Sequence, residues 1–263
     1  MTLAEEISLA ATVGTCVAAI AACIVAFLTF GTLRELRAQR TAAYKPELTP
    51  VQQQIFARFP QAATASIGID WAEVDSGTLS DVGLGHRYFV RLFNLGNGAA
   101  KDVKVCWTYD VQKFVTVINS MAQRGFFDFF VVLSANQALS FESKKGSRAT
   151  FFLRTELNSK YDYILPSSVE KEGLRVHLPS SFQRLVSLYY SMLFDSSTSK
   201  EEINKDQLGS PSIDCVIAYR DIAGNSYRSK FRFVVNVFVY QAGSVTEPNS
   251  RFDGLLEFSA VQA

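Results

Sequence analysis

IDCVIAYRDIAGNSYRSKFRFVVNVFVY, residues 213–240, reads as two strands joined by a turn. Residues 213–220 and 227–240 are rich in β-branched and aromatic side chains, which suit a pleated, half-buried surface. Between them Asp221-Ile222-Ala223-Gly224-Asn225 supplies turn chemistry: an Asp and an Asn that bond to nearby backbone, and a Gly free of steric penalty. This hairpin sets the period for the rest of the chain.

Upstream, the same kind of run recurs at residues 66–71, 87–94, 103–109, 126–133 and 149–155, each bounded by turn residues. Many short strands without alternating helices predict a mainly β, antiparallel sandwich. One segment departs from the pattern. Phe182, Leu185, Val186, Tyr189, Met192 and Leu193 fall at helical spacing behind Pro179-Ser180-Ser181, where a serine can cap the first turn. A single inserted amphipathic helix is expected there, its stripe packed on the sandwich or, in the alternative, facing a partner. The runs Leu165-Pro166-Ser167-Ser168 and Leu178-Pro179-Ser180-Ser181 before it are too short to form a structural repeat. Aromatic residues make up 13% of the chain and charged residues only 19%, a balance that supports a packed core over disorder.

The beginning of the chain obeys a different rule. No residue between Glu6 and Arg34 is charged, and residues 7–33 give 27 uncharged positions, where roughly 20 suffice to cross a bilayer. A secretory leader would carry a positive start and a shorter apolar run, whereas this start carries Glu5 and Glu6. Ile20-Ala21-Ala22-Cys23 resembles a lipoprotein cleavage site, but the apolar run continues through residues 24–30. An uncleaved transmembrane helix is expected. Arg34, Arg37, Arg40 and Lys45 follow it with only Glu35 among them, which predicts a cytoplasmic soluble domain, an outer N-terminus and headgroup contact by these four cations. Ala10, Gly14, Ala18, Ala22 and Ala26 recur every fourth residue, a spacing that lets two helices approach and predicts a homodimer contact. Residues 1–33 are thus tail and membrane helix, 34–60 a basic helical stalk ending near Pro46 and Pro50 with a linker or short helix at Gln52-Gln53-Gln54, and 61–263 the β domain.

Chemistry-bearing motifs are sparse. The histidines are His86 and His177, neither at metal-ligand spacing from another His, Cys or carboxylate. There is no Gly-x-Ser-x-Gly elbow and no Walker sequence, and Gly96-x-Gly98, like Gly83 and Gly85, lacks the rest of a dinucleotide fingerprint. Glycines between strands are read as relief of a tight turn or bulge. Asp162 near Glu156, Asp214 near Asp221, and the mixed charges Lys200, Glu201, Glu202, Lys205 and Asp206 read as solvated surface. Cys106 and Cys215 sit in strand-like runs as small buried thiols; a bond between them would instead mark an extracytoplasmic domain. Removing Arg34, Arg37, Arg40 and Lys45 from 26 basic residues, and Glu5, Glu6 and Glu35 from 25 acidic, leaves 22 of each. A neutral domain predicts no nucleic-acid partner, and Lys144-Lys145 with Arg148 is too small a basic cluster to change that.

Asn94-Leu95-Gly96-Asn97-Gly98-Ala99-Ala100-Lys101-Asp102-Val103-Lys104-Val105 resembles the Asn-x-Gly-x-Gly/Ala-Ala turn of bacterial immunoglobulin-like sandwich domains. With its preceding helix, the chain also resembles uncharacterised bacterial single-pass membrane proteins that carry such a domain. The resemblance implies an immunoglobulin-like fold with Asn94, Gly96 and Gly98 as a structural turn, in the bacterial inner membrane, and it implies no activity. The expectation is a non-catalytic, membrane-anchored adaptor, scaffold or sensor. It needs no cofactor or metal, and its partners are the bilayer, another protein and a second copy. The alternatives are a tethered enzyme with a site built from dispersed residues, and an extracytoplasmic binding domain.

Overall fold

The computed structural model describes residues 3–60, 70–73, 88–124, 129–143, 148–195, 209–241 and 249–261. The chain divides into two units, Met1–Lys45 and Pro46–Ala263. The first is one helix, α1 (Leu3–Ala43), whose Thr12–Ala43 part has a mean hydropathy of 2.4 over its apolar window and buries none of it. Val17, Ile20, Phe27 and Phe30 are 61%, 62%, 78% and 68% exposed. This helix is long and apolar enough to cross a membrane.

The second unit is mainly β. In chain order it comprises β1 (Leu48–Pro50), β2 (Gln53–Pro60), β3 (Asp70–Glu73), β4 (Phe89–Asn94), β5 (Ala100–Thr108), α2 (Val111–Arg124), β6 (Phe129–Leu133), β7 (Ala138–Ser143), β8 (Arg148–Phe152), α3 (Leu153–Glu156), β9 (Asn158–Ile164), β10 (Leu174–His177), α4 (Ser180–Asp195), β11 (Ser212–Arg220), β12 (Ser226–Gln241) and β13 (Asn249–Ala260). All pairings are antiparallel. A seven-stranded sheet, β3-β2-β13-β12-β11-β5-β9, curls into a half-barrel; β1-β4-β10 and β6-β7-β8 form two smaller sheets.

The hairpin at residues 213–240 lies in the large sheet, paired from Ser212↔Val234 to Arg220↔Ser226. Ile213, Cys215, Ile217 and Tyr219 alternate inward, as a half-buried strand requires. Gly224 holds the turn at φ 90°, a left-handed backbone that side chains resist. Further along β12 a bulge lies between Val237 and Val239, and Gly254 faces it across the ladder. A Cβ there would come within 2.8 Å of the Asn236 carbonyl, so the strands approach this closely only at glycine.

The structure departs from sequence expectation at several places. The helix expected to continue from Arg34 to Ala43 does end there, but Gln52-Gln53-Gln54, read as a linker or short helix, runs into β2, which lies between β3 and β13. One inserted helix is expected, but α2 and the one-turn α3 accompany α4. Asp110 caps α2, its Oδ1 accepting from the Lys113 N–H at 2.9 Å, and Phe114, Val115, Ile118 and Ala122 turn one buried stripe inward. The run 149–155 is cut at Phe152, where α3 begins. Positive φ falls on Asp102 (51°) and not on Gly96 or Gly98, because β5 and β11 shift register there. The runs at 66–71 and 126–133 are described only over 70–71 and 129–133; Gly83, Gly85 and His86 lie outside the described residues.

All three sheets share one core with the helices. Leu48, Val90, Leu92 and Val176 from the β1-β4-β10 sheet cluster with Val103, Val105, Trp107 and Phe233 from the large one. The helix α4 closes this core. Phe182, Leu185, Val186, Tyr189 and Met192 are buried and Leu193 packs against them, so its stripe is core and not a partner-binding face. Two of the polar atoms taken inside with it find partners in the core. Trp71 Nε1 donates to Ser187 Oγ at 2.8 Å and the Tyr190 hydroxyl to the Val235 carbonyl at 2.9 Å.

The sheets are tied together at Asn94, which is 1% exposed. Its Oδ1 accepts from the backbone N–H of Glu47 (3.0 Å) and of Gly96 (3.1 Å). Its Nδ2 donates to the carbonyls of Gly98 (2.7 Å) and Ile164 (3.3 Å). Replacing Asn94 with Ala leaves four backbone groups without this partner and is expected to cost roughly 2–4 kcal/mol. Asn94→Asp, which sets a carboxylate against two carbonyls, should cost at least as much. Urea denaturation of the detergent-solubilised full chain checks both; a loss of under about 1 kcal/mol for Asn94→Ala would remove the residue from this role.

Candidate functional site

The end of β5, the first turn of α2 and the start of β11 enclose a cleft of about 390 Å³. Thr108, Tyr109 and Asp110 form one wall, Lys113 and Phe114 the second, and Ser210, Pro211, Ser212, Asp214 and Arg232 the third. Asp214 and Arg232 meet because they are cross-strand partners in the β11–β12 ladder. Arg232 Nε and Nη2 reach the two carboxylate oxygens at 2.8 and 3.2 Å, and Lys230 Nζ lies 3.0 Å from Oδ2. Arg232 first, with Lys230 adding to it, holds the Asp214 carboxyl below the usual carboxylate range against the opposing effect of burial.

The two acids and the tyrosine of the cleft already have structural tasks. Asp214 is neutralised by two cations, and Asp110 caps a helix. Burial pushes the Tyr109 hydroxyl well above its ordinary pKa, and that hydroxyl donates to Ser181 Oγ at 2.9 Å. Ser181 in turn donates its N–H to Glu156 Oε2 at 3.0 Å, so Glu156 serves the first turn of α4. A nucleophile needs a base within hydrogen-bond reach, and no such pair faces this cleft among the described residues. What remains is a polar recess able to hold a small solute.

The other sequence candidates are dispersed. Cys215 pairs with Trp107 and Cys106 with Val216. Consecutive strand residues point to opposite faces, so the two thiols lie on opposite sides of the sheet and do not bridge. Burial pushes the Cys215 thiol far up, which leaves it inert. His177 ends β10 with its ring 4.2 Å from that of Phe89. Asp162 is exposed on β9, while Asp221 is buried in the hairpin turn. Arg148 reaches Glu142 at 3.3 Å; Lys144, Lys145 and residues 200–206 lie outside the described residues. No group of three His, Cys, Asp or Glu able to hold a metal occurs among the described residues.

On α1, Arg34, Arg37 and Arg40 are exposed and helical, and Lys45 follows the helix. The stripe Ala10, Gly14, Ala18, Ala22 and Ala26 lies wholly within it. Each four-residue step turns about 40° further, so the full stripe winds about 160° around a straight helix. A straight partner can follow only about three consecutive members, and Gly14-Ala18-Ala22 holds the one glycine. Asn94, Gly96 and Gly98 lie between β4 and β5, joined by the Asn94 hydrogen bonds given above. What sequence reading missed is the cleft itself, whose one local signal is Asp110 before Val111, Phe114 and Val115 at helical spacing.

No protein family, no curated protein and no solved structure matches the chain.

Acid stability follows from the carboxylates. Burial alone would raise the Asp221 carboxyl, but hydrogen bonds from Asn225, Tyr227 and the Ala223 N–H outweigh it and hold it low. Asp214 and Asp221 both have folded pKa values below their unfolded ones, so the stability they give is present above about pH 4 and is lost as pH falls further. Unfolding free energy should be level from about pH 7 to 5 and fall below about pH 4. Asp221→Asn should lower the plateau and flatten the acid limb, and an unchanged acid limb in both Asp221→Asn and Asp214→Asn would refute the assignment.

A Cβ at Gly14 would meet nothing within 4 Å inside the chain, so a side chain there is accommodated without a clash at its Cβ. If Gly14-Ala18-Ala22 joins two copies, Gly14→Ile should reduce full-chain dimerisation in detergent by energy transfer between labelled copies about tenfold. Unchanged transfer would exclude this face.

Proposed function

We propose that this chain is a non-catalytic interaction protein that α1 anchors in a membrane, its β domain on the cytoplasmic side. The observation that carries the anchor is apolar surface left uncovered: Val17, Ile20, Phe27 and Phe30 stand more than half exposed along a helix with no charge from residue 7 to residue 33. A helix exposing such a surface in water would aggregate, whereas lipid covers it at no cost in unpaired backbone groups.

The sidedness rests on Arg34, Arg37, Arg40 and Lys45, because basic flanks are retained on the cytoplasmic side. The non-catalytic reading rests on the cleft, where every acid serves a pair or a cap. We read the sheets around one core, with the Asn94 turn between β4 and β5, as a variant of the immunoglobulin-like sandwich. Such sandwiches commonly present loops and edges to protein partners. Confinement to a membrane raises the effective concentration of those loops for any partner held on the same surface.

Two measurements test this reading. Carbonate-washed membranes should retain the chain, and a fluorescent protein fused after Ala263 should glow while an alkaline phosphatase fused there stays inactive. Release by carbonate would overturn the anchor, and an active phosphatase would reverse the sidedness in favour of an extracytoplasmic binding domain.

A further inference from the structure

The two ends of the large sheet differ. At one lies the cleft, where Asp214 is paired with Arg232 and Lys230. At the other, four loop segments gather around Pro46 and Glu47, where the chain enters the β unit. The Leu95 N–H donates to the Glu47 carbonyl at 2.8 Å, and the Ser167 N–H to the Asn94 carbonyl at 2.8 Å. The Tyr219 hydroxyl donates to the Pro46 carbonyl at 3.4 Å, at the foot of the β11–β12 turn. Tyr163 pairs with Lys101, and Lys101 with Arg220, which brings the end of β9 beside that turn.

Each of these segments exposes one large apolar side chain: Leu95 (59%), Tyr163 (63%), Val169 (68%) and Ile222 (63%). Around them Glu47, Asp102, Asp162, Glu170 and Glu172 are exposed, against the exposed cations Lys101, Lys171 and Arg220. The 3.9 Å pair of Arg220 with Asp102 takes one charge from each side; with exposed Lys45 beside Pro46 counted, four acids face three cations. The balance is acidic by one charge, which favours a cationic partner over an anionic surface.

Building on the cytoplasmic, membrane-anchored reading above, we propose that this end of the β domain binds the basic juxtamembrane segment of another membrane protein. The β unit continues directly from Lys45, so on that reading what its surface meets most often is confined to the same membrane. Cytoplasmic juxtamembrane segments are enriched in Lys and Arg next to apolar helix ends, and a ring of acids around apolar anchors complements that combination. Tyr163 and Leu95 supply the anchors, while the acids set on-rate and choice of partner.

The test uses the full chain in living cells, with a photo-crosslinking residue placed singly at Val169, at Ile222 and, as a control, at exposed Phe152 in the β6-β7-β8 sheet. The expected result is adducts from positions 169 and 222 that map within a few residues of a basic membrane boundary in another protein. Their yield should fall about fivefold or more with Glu170→Lys combined with Glu172→Lys. Adducts to lipid alone, adducts to segments without basic residues, or a yield indifferent to the charge reversal would overturn the proposal. Protein adducts from Phe152 alone would leave the adaptor reading standing while removing this surface. Protein adducts from none of the three positions would count against both.

Discussion

Four hydrogen bonds from one buried amide hold the β unit in register. Asn94 ends β4, and its side chain reaches the chain start at Glu47, its own turn at Gly96 and Gly98, and the end of β9 at Ile164. These groups belong to two sheets of the core, so the relation between the β1-β4-β10 sheet and the seven-stranded sheet is fixed at this point. Asparagine suits the position because it presents an acceptor and two donors on one short, planar group. Aspartate has no donors and leucine has neither, whereas glutamine must order one more torsion in a site that is already closed.

From that node the rest of the packing follows. The strands leaving it carry alternate side chains inward, and the half-barrel they form is too open to bury Trp71, Trp107, Phe233 and Phe252 by itself. Helix α4 supplies the missing layer, with edge-to-face contacts of Phe182 on Tyr109 and Phe114 and with Ser187 receiving the Trp71 indole N–H. Helix α2 covers a further margin. Asn119 bonds both backbone groups of Val131 at 2.8 Å, satisfying part of the β6 edge as another strand would.

Much of this was legible in the sequence, and the reasons for the remainder are physical. The hairpin at 213–240, the Asn94 turn and helix α4 each rest on interactions close in sequence, where periodicity and turn chemistry carry information. The start of the domain was misjudged by about fifteen residues, because β2 is recognisable as a strand only once β13, almost two hundred residues later, pairs with it. Helix α2 was missed although its cap and stripe are present, because Val115, Val117 and Ile118 are β-branched and suit a strand as well. The cleft and the apolar end are assembled from segments distant in the chain, so no local motif announces either.

The distribution of acids divides structural from recognitive surface. Asp110, Glu156, Asp214 and Asp221 are all engaged by backbone N–H groups, guanidinium or phenol. An acid held in this way has a lowered proton affinity or a fixed geometry, and it serves stability more than proton transfer. Glu47, Asp162, Glu170 and Glu172 are exposed instead, and the fold does not require their charge. Exposed charges contribute little to stability, so their cost is small, and their effect is on what approaches. They lie around Glu47, where the chain enters the domain and where the Asn94 node fixes the loops that carry them. The same buried amide that registers the sheets therefore also sets the spacing of the surface most suited to a partner.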